Sequence, residues 1–353
     1  MAKETLNNAK KNKSDEFYTL LEDVASELCN YKRHFENKII FCNCDDPEWS
    51  NFWKYFHQNF TEFKIKKLIA THYDSNENSS YVMEYMGGND QDIKCWKQRH
   101  LKGDGDFRSD ECVEILKEAD IIVTNPPFSL FREYLSQLME YNKKFIILGN
   151  MNALTYKEVF PLIKDNKMWI GYGFNLSMIY KTAYKNTLES NRKYVISKGY
   201  NPDEGYVKVP AIAWYTNLDI PKRHVSLVDE LKYQYKKHPE LYYKYDNYDA
   251  INVDKVKDIP YDYMEPIGVP ITFINKYNPQ EFEIIGQGQG NLYRQLTSNG
   301  LSQKFVDDYY KGGGKGSIKE NHPVLGYYNG EGKAIIPYMR IIIKRRGTNL
   351  NDN

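Results

Sequence analysis

The 353 residues carry 48 Lys+Arg against 47 Asp+Glu, a formal net charge of +1, so total charge selects no polyanionic or polycationic partner. No apolar run approaches the roughly 18 residues of a membrane span, and Met1-Ala2-Lys3-Glu4 opens without the apolar stretch of a secretory signal. Five cysteines (Cys29, Cys42, Cys44, Cys95, Cys112), an odd number confined to the first third of the chain, read as free thiols in a reducing cytoplasm.

In chain order, residues 1–14 are polar and rich in Lys and Asn, the composition of a flexible arm. Phe17, Leu20, Leu21, Val24, Leu28 and Tyr31 recur at three-and-four spacing and predict a helix through about residue 35. Lys38 to Cys42 is a short buried strand. The turn Asn43-Cys44-Asp45-Asp46-Pro47 follows, then a helix with aromatic faces (Trp49, Phe52, Trp53, Phe56, Phe60). A second strand, Lys67 to Thr71, ends near Asp74, and the polar residues 75–103 read as an excursion or hairpin. Gly103-Asp104-Gly105-Asp106-Phe107 precedes a helix over 109–118 capped by Ser109. The strand Ile121 to Val123 runs into Asn125-Pro126-Pro127-Phe128. Ser129 is expected to cap a helix carrying Leu130, Phe131, Tyr134, Leu135 and Leu138, ahead of a buried strand from Lys144 to Leu148.

Strand and helix alternate with crossover spacing up to this point. That predicts an α/β fold with a mostly parallel sheet covered by helices on both faces. Such sheets bind ligands beyond the carboxyl ends of their strands, which is where the turns at 43–46, 74, 104–107 and 125–128 fall. Beyond residue 150 the rhythm changes. A helix at 155–165 and strands near 167–180 lead into Lys181 to Lys208, rich in Lys, Tyr, Asn and Gly. Apolar strands return at 211–215, 271–274, 282–285 and 335–343. Charge shifts too: up to residue 150 there are 20 Lys+Arg and 25 Asp+Glu, and beyond it 28 and 22. An acidic half followed by a basic one suits a catalytic core joined to a polyanion-binding region, and equally a drift in composition.

Asn125-Pro126-Pro127-Phe128 carries the most chemistry. An asparagine oxygen and a prolyl carbonyl can accept the two hydrogens of an exocyclic amine. The amine's lone pair is then localised and aimed at an electrophilic methyl, while the next aromatic offers a face to a planar base. The plain alternative is a Pro-Pro chain stop after a strand. Two companions favour the chemical reading: Asp15-Glu16-Phe17-Tyr18-Thr19 ahead of the first helix, and the carboxylate–aromatic loop 103–107. A carboxylate accepting from an adenine amine, with an aromatic on the ring face, is a way of holding adenine. Cys42-x-Cys44 lacks a second pair at zinc spacing and reads as buried thiols, so no metal site is expected. Gly286-x-Gly288-x-Gly290 reads as a strand-end loop, and Lys311-Gly312-Gly313-Gly314-Lys315-Gly316-Ser317 fails phosphate-loop spacing and reads as a mobile loop. No Pro-Cys pair is present to serve a cytosine-carbon methyltransferase.

With Asn43 to Pro47, Thr124 to Phe131, Gly149-Asn150, Trp214 to Asp219, Tyr245 to Val253 and Gly268 to Phe273, these segments resemble the EcoRI-type adenine-specific DNA methyltransferases over about residues 14 to 286. The resemblance implies a Rossmann-like class I methyltransferase sheet that uses S-adenosylmethionine. It also implies an adenine of double-stranded DNA flipped onto Asn125, Pro126, Pro127 and Phe128, and a cognate restriction endonuclease sharing the site. Phe17, Tyr18, Thr19, Asn43, Cys44, Asp45, Asp74, Asp104, Asp106 and Phe107 would hold the cofactor; the first-strand loop has no glycine, an oddity shared with that family. The expected organisation is an arm over 1–14, a catalytic core over 15–180, a DNA-recognition region over 181–270 with core strands near 210–216, and C-terminal strands with a basic tail over 271–353. Lys181, Lys185, Arg192, Lys193, Lys222 and Arg223 are candidate DNA contacts in the basic, Tyr-rich region. A cytoplasmic monomer is expected. The rival readings are methylation of an amine on RNA or protein, and a DNA-binding relative without catalysis.

Overall fold

The computed structural model describes residues 18–74, 80–88, 97–182 and 189–347. Phe17, Lys185 and the arm over 1–14 lie outside the described residues. The chain forms two compact units, one holding the chain up to Asn152 with Met168–Leu218, the other Ala153–Lys167 with Asp219 onward. Among the described residues no helix is long and apolar enough to cross a membrane.

In chain order the first unit contains β1 (Tyr18–Thr19), α1 (Leu21–Leu28), β2 (Ile39–Cys42), α2 (Asn51–Gln58), β3 (Lys67–His72), β4 (Tyr81–Tyr85) and β5 (Lys97–His100). It continues with α3 (Asp110–Glu118), β6 (Ile121–Thr124), α4 (Phe131–Glu140), β7 (Lys144–Asn150), β8 (Trp169–Ile170), β9 (Leu176–Lys181), α5 (Glu189–Ser197) and β10 (Tyr206–Thr216). The strands form one mixed sheet in the order β1-β9-β10-β7-β6-β2-β3-β4-β5, with β8 on β10. Only its centre is parallel, β7-β6-β2-β3; both flanks are antiparallel. The expectation of a mostly parallel sheet is therefore corrected. Helical crossovers join β2 to β3 and β6 to β7, whereas β4 and β5 return as the hairpin expected for 75–103.

Every residue of β6 is buried, as a strand covered on both faces requires. Neighbouring residues of one strand point to opposite faces. Trp214 packs on Phe52 of α2 with ring centroids 5.9 Å apart, and Tyr215 packs on Phe131 of α4 at 5.2 Å, so helices cover both sides. Ser50 caps α2 by accepting from the Phe52 N–H at 3.0 Å, and Ser109 caps α3 as anticipated, from the Cys112 N–H at 3.3 Å.

Several elements differ from expectation for local reasons. The first helix stops at Leu28 and continues as a 3₁₀ turn and a short helix, Lys32–Phe35. The Asn30 amide donates back to the Ser26 and Glu27 carbonyls at 3.0 and 2.9 Å and competes for acceptors that a further turn would use. Ser129 does not cap α4. It lies within a 3₁₀ turn, Phe128–Leu130, and Leu130 holds the cap position. The helix expected at 155–165 is confined to Phe160–Lys164, with Pro161 in its first turn. Within Lys181 to Lys208, which lacks clear periodicity, Glu189–Ser197 forms α5 between β9 and β10.

The second unit holds β11 (Ile251–Asn252), β12 (Ile267–Pro270), β13 (Phe282–Gln287), α6 (Gln303–Lys311), β14 (Tyr327–Tyr328), β15 (Ala334–Ile335) and β16 (Arg340–Arg345). Its four-stranded sheet runs β11-β12-β16-β13. The strand expected at 271–274 ends instead at Pro270, and Ile271–Lys276 is 3₁₀. The long final strand is split between β15 and β16, with Pro337 in the gap, because proline cannot donate to a ladder. The loop after α6, read as mobile, is fastened by two hydroxyls. Tyr309 donates to the Lys315 carbonyl at 3.0 Å, and Tyr310 accepts from the Ile318 N–H at 2.7 Å. The expected recognition region is shared: 181–218 fall in the first unit and 219–270 in the second.

Glu27 fastens α1 to the start of the β8–β9 loop. It is 2% exposed and accepts from the Tyr31 hydroxyl at 2.8 Å and from the Tyr172 and Gly173 N–H groups at 2.8 and 2.7 Å. Glu27→Ala strands those donors and is expected to lower unfolding free energy by about 2–5 kcal/mol, read from the denaturant midpoint.

Candidate active site

The Asn125 turn leaves the end of β6 beside the end of its parallel neighbour β2. Asn125 and Pro126 are buried, Pro127 and Phe128 half-buried. A single carboxylate fixes the turn. Asp45, in the loop after β2, accepts through Oδ2 from the Thr124 hydroxyl and from the Asn125 main-chain N–H, the latter at 3.3 Å. Its Oδ1 accepts from the Ser50 hydroxyl at 2.9 Å, and the Thr124 hydroxyl in turn accepts from the Cys44 N–H at 3.2 Å. Both Asp45 oxygens are thus engaged by protein donors. Burial pushes its carboxyl up to about 6, against the pull of those hydrogen bonds. Burial, with Asp45 close by, also holds the Cys44 thiol well above its ordinary value, so Cys44 is not a thiolate nucleophile.

Asn43 is fixed by a neighbouring helix, α4, and a neighbouring strand, β3. Its side-chain oxygen accepts from the Tyr134 hydroxyl, and its carbonyl from the Thr71 hydroxyl at 3.2 Å. Asp46, which follows Asp45, meets His72 Nδ1 at 2.9 Å and the Tyr81 hydroxyl at 3.2 Å. Despite burial, these bonds and one from the Glu48 N–H hold its carboxyl below the usual range.

Loop 103–107 is locked against the end of β3. The Asp74 N–H donates to the Asp104 carbonyl at 2.9 Å. Gly105 has φ +81°, and a Cβ there would lie 2.4 Å from the His72 carbonyl, so only glycine permits this approach. Asp74 and Asp104 are consequently neighbours. Asp106 is held by Arg108, whose Nη2 lies 2.6 Å and Nε 2.9 Å from it. Phe107 is buried with its ring edge-on to Tyr134 at 5.0 Å and the Arg108 guanidinium 5.3 Å from its centroid.

The amino-terminal element reaches the same end of the sheet. Thr19 pairs with Tyr180 of β9, and the Tyr180 ring stands perpendicular to Phe128 at 6.4 Å. The Thr19 carbonyl accepts from the Asn51 amide at 2.7 Å, one residue after Ser50. Tyr18, Thr19, Asn43 to Asp45 and the Asn125 turn are thereby brought together. Among the described residues, the buried Asn43 Nδ2 and Thr19 Oγ1 have no hydrogen-bond partner. With the half-buried Asp74 and Asp104 they form a donor and acceptor set that fits a polar small-molecule cofactor with amine and hydroxyl groups.

The candidate basic contacts are not all together. Lys181 is exposed at the end of β9. Arg192 pairs with Asp203 at 3.1 Å and Lys193 with Glu189 at 3.8 Å, both near α5. Lys222 and Arg223 belong to the second unit, where Lys222 donates to Asn275 at 2.6 Å and Arg223 to Asn166 at 3.1 Å. The Arg223 side chain is only 12% exposed, and burial lowers the pKa of its guanidinium. Sequence reasoning passed over Ser50, Tyr134 and Thr71 as holders of the site. The signal available for Ser50 was its position as an N-cap five residues after Asp45.

A family model described as adenine-specific methyltransferase EcoRI matches residues 5–346. The chain is 45% identical over 322 residues to the Type II methyltransferase M.EcoRI of Escherichia coli, a match covering 85% of this chain and 94% of that one. It is 40% identical to the Type II methyltransferases M.MgeORF184P of Mycoplasma genitalium and M.MpnI of Mycoplasma pneumoniae, over 288 and 283 residues, each match covering 79% of this chain and 84% of the relative. No solved structure shows significant similarity.

The raised Asp45 value has a measurable consequence. A carboxyl whose folded pKa is about 6 rather than 3.8 contributes stability that is full below pH 3.8 and lost as pH rises through 6. Relative to Asp45→Asn, the native chain should lose on the order of 3 kcal/mol of stability over that window. Chemical denaturation of both proteins across pH 4–7 reads this, and parallel profiles would show that Asp45 is not the titrating group.

Proposed function

The chain belongs to the family of adenine-specific methyltransferases of the EcoRI type, and on that premise we propose that it is a Type II DNA methyltransferase acting on the N6 amine of adenine in double-stranded DNA. The observation that carries the reading is the buried Asn125 turn, clasped at a strand end by Asp45 and Thr124. S-adenosylmethionine, when bound, supplies an electrophilic methyl on a sulfonium. The parallel centre β3-β2-β6-β7 is read as the Rossmann-like half of a class I methyltransferase, with the cofactor beyond the carboxyl ends of its strands. Asn43, Asp74, Asp104 and the Tyr18–Thr19 segment are assigned to hold it, and Asp45 to hold the turn.

An adenine amine inside a stacked duplex is out of reach, so the base turns out of the helix into the site. The Asn125 side-chain oxygen and the Pro126 carbonyl accept its two hydrogens, and Phe128 lies against the ring. Asn125 and Pro126 thereby localise the nitrogen lone pair and aim it at the place where the cofactor's methyl would stand. The new N–C bond would form as the methyl–sulfur bond broke, with the electron pair left on sulfur. The amine becomes positively charged during attack and then sheds a proton to water, so the site needs no strong base. The basic, Tyr-rich segments over 181–270 are read as the DNA-recognition region. The partners of this reading are duplex DNA and a restriction endonuclease of the same specificity, and the enzyme acts as a monomer. RNA and protein amines are the less favoured substrates, because the family and the relatives' names point to adenine and to Type II systems.

Asn125→Ala should reduce transfer of tritiated methyl to DNA by about 10²–10³-fold or more, with the cofactor Kd from titration calorimetry changed less than about threefold, as for a group acting mainly in the transition state. Undiminished turnover would remove Asn125 from the reaction. Label appearing in RNA or protein but not DNA would overturn the substrate assignment.

A further inference from the structure

Next to Thr19 and Asn51 the first unit carries a recess of about 510 Å³ that the reaction described above does not use. Its lining includes Leu20, Trp49, Asn51, Lys54, Lys181 and Tyr206. Three observations distinguish it from ordinary surface. Trp49 is 62% exposed, a large indole left in water one residue before the cap of α2. Among the described residues, Lys54 and Lys181 have no carboxylate within ion-pairing distance, so these residues bring two cations to the recess. The Lys181 ammonium lies 5.7 Å from the ring centroid of Tyr206, its partner across β9 and β10, and Lys208 of β10 lies 4.2 Å from the ring centroid of Tyr194 in α5.

An exposed indole beside two lysines matches one ligand chemistry: a planar ring carrying a nearby anionic group. Resting on the reading of this chain as a DNA methyltransferase, we propose that the recess seats one unstacked nucleotide of a DNA strand. Its base lies against Trp49 and its phosphate between Lys54 and Lys181. Stacking on an aromatic face is indifferent to base identity, and lysine contacts the phosphate as a point charge, so the seat tracks the strand without reading sequence. The recess is joined to the Asn125 turn by a short path: Asn51 follows Ser50, whose hydroxyl donates to Asp45. A nucleotide held there steadies the strand opened when the target adenine leaves the stack.

The test uses the full-length protein and a single-stranded oligodeoxynucleotide carrying 5-iododeoxyuridine. Ultraviolet cross-linking followed by peptide mass spectrometry should place the adduct on Trp49. Fluorescence anisotropy should show Trp49→Ala binding the oligonucleotide about tenfold or more weakly, with Trp49→Phe restoring most of the loss. The double variant Lys54→Ala, Lys181→Ala should lower the slope of log affinity against log salt by about 1.4, the value for two single-strand phosphate contacts. Adducts elsewhere, with Trp49→Ala binding as tightly as the native protein, would overturn the proposal. So would a weakened cofactor Kd with oligonucleotide binding unchanged, which would assign the recess to the cofactor's carboxylate. Failure of the underlying reading is separate, since it would appear as no methyl transfer to DNA by the native protein.

Discussion

Asp45 sits where β2 and β6 end side by side, and its carboxylate accepts from the two residues that open the Asn125 turn as well as from the cap of the next helix. Parallel strands leave their last main-chain groups without a neighbouring turn to satisfy them. Here one acidic side chain accepts from the Asn125 N–H and from the Thr124 and Ser50 hydroxyls, which joins the two loops. Taking an anion out of water at this position is costly, and its raised pKa expresses the cost. The return is geometric: the loop after β2, assigned to the cofactor, and the Asn125 turn, assigned to the substrate, are tied to one side chain. A reaction that relies on aiming a weak nucleophile, rather than on a strong base, depends on that kind of coupling.

The flanks of the sheet serve the same end. β1 adds to β9 so that Thr19 arrives beside Tyr180, and Tyr180 meets Phe128. On the other side the hairpin β4–β5 returns the chain to loop 103–107, which Gly105 allows to press on the last carbonyl of β3. Neither flank follows the helical crossover of the centre, yet each delivers a segment to the carboxyl ends of the central strands. Methyl donor and acceptor amine are thereby read as meeting over the parallel centre, with antiparallel additions closing around them.

Much of this was legible from residue order. Burial on both faces makes β2, β3, β6 and β7 near-continuous apolar runs, and Ser109 announces its helix by standing three residues ahead of the N–H it accepts from. The candidate site was placed at strand ends, which periodicity locates well. Strand direction was less accessible, because a polar excursion such as 75–103 carries no signature of which way its strands return. Ser129 misled because a serine after Pro-Pro looks like a cap, whereas the chain leaves Pro127 in a 3₁₀ turn and places Leu130 there. Asp45 was expected, as a loop residue, to hold the cofactor. Its bond to Thr124, 79 positions away, was not, since long-range pairing leaves no local pattern. Nor does exposure, such as that of Trp49, register in periodicity.

The central claim is that Asp45 and Thr124 act as one unit in presenting Asn125. Single-turnover rates of methyl transfer in a double-mutant cycle, Asp45→Asn with Thr124→Val, measure this directly. Each single variant should slow the chemical step, and the double variant should be little slower than the worse of the two, because either change already opens the clasp. Losses that multiply would contradict the account and place the two residues in separate roles.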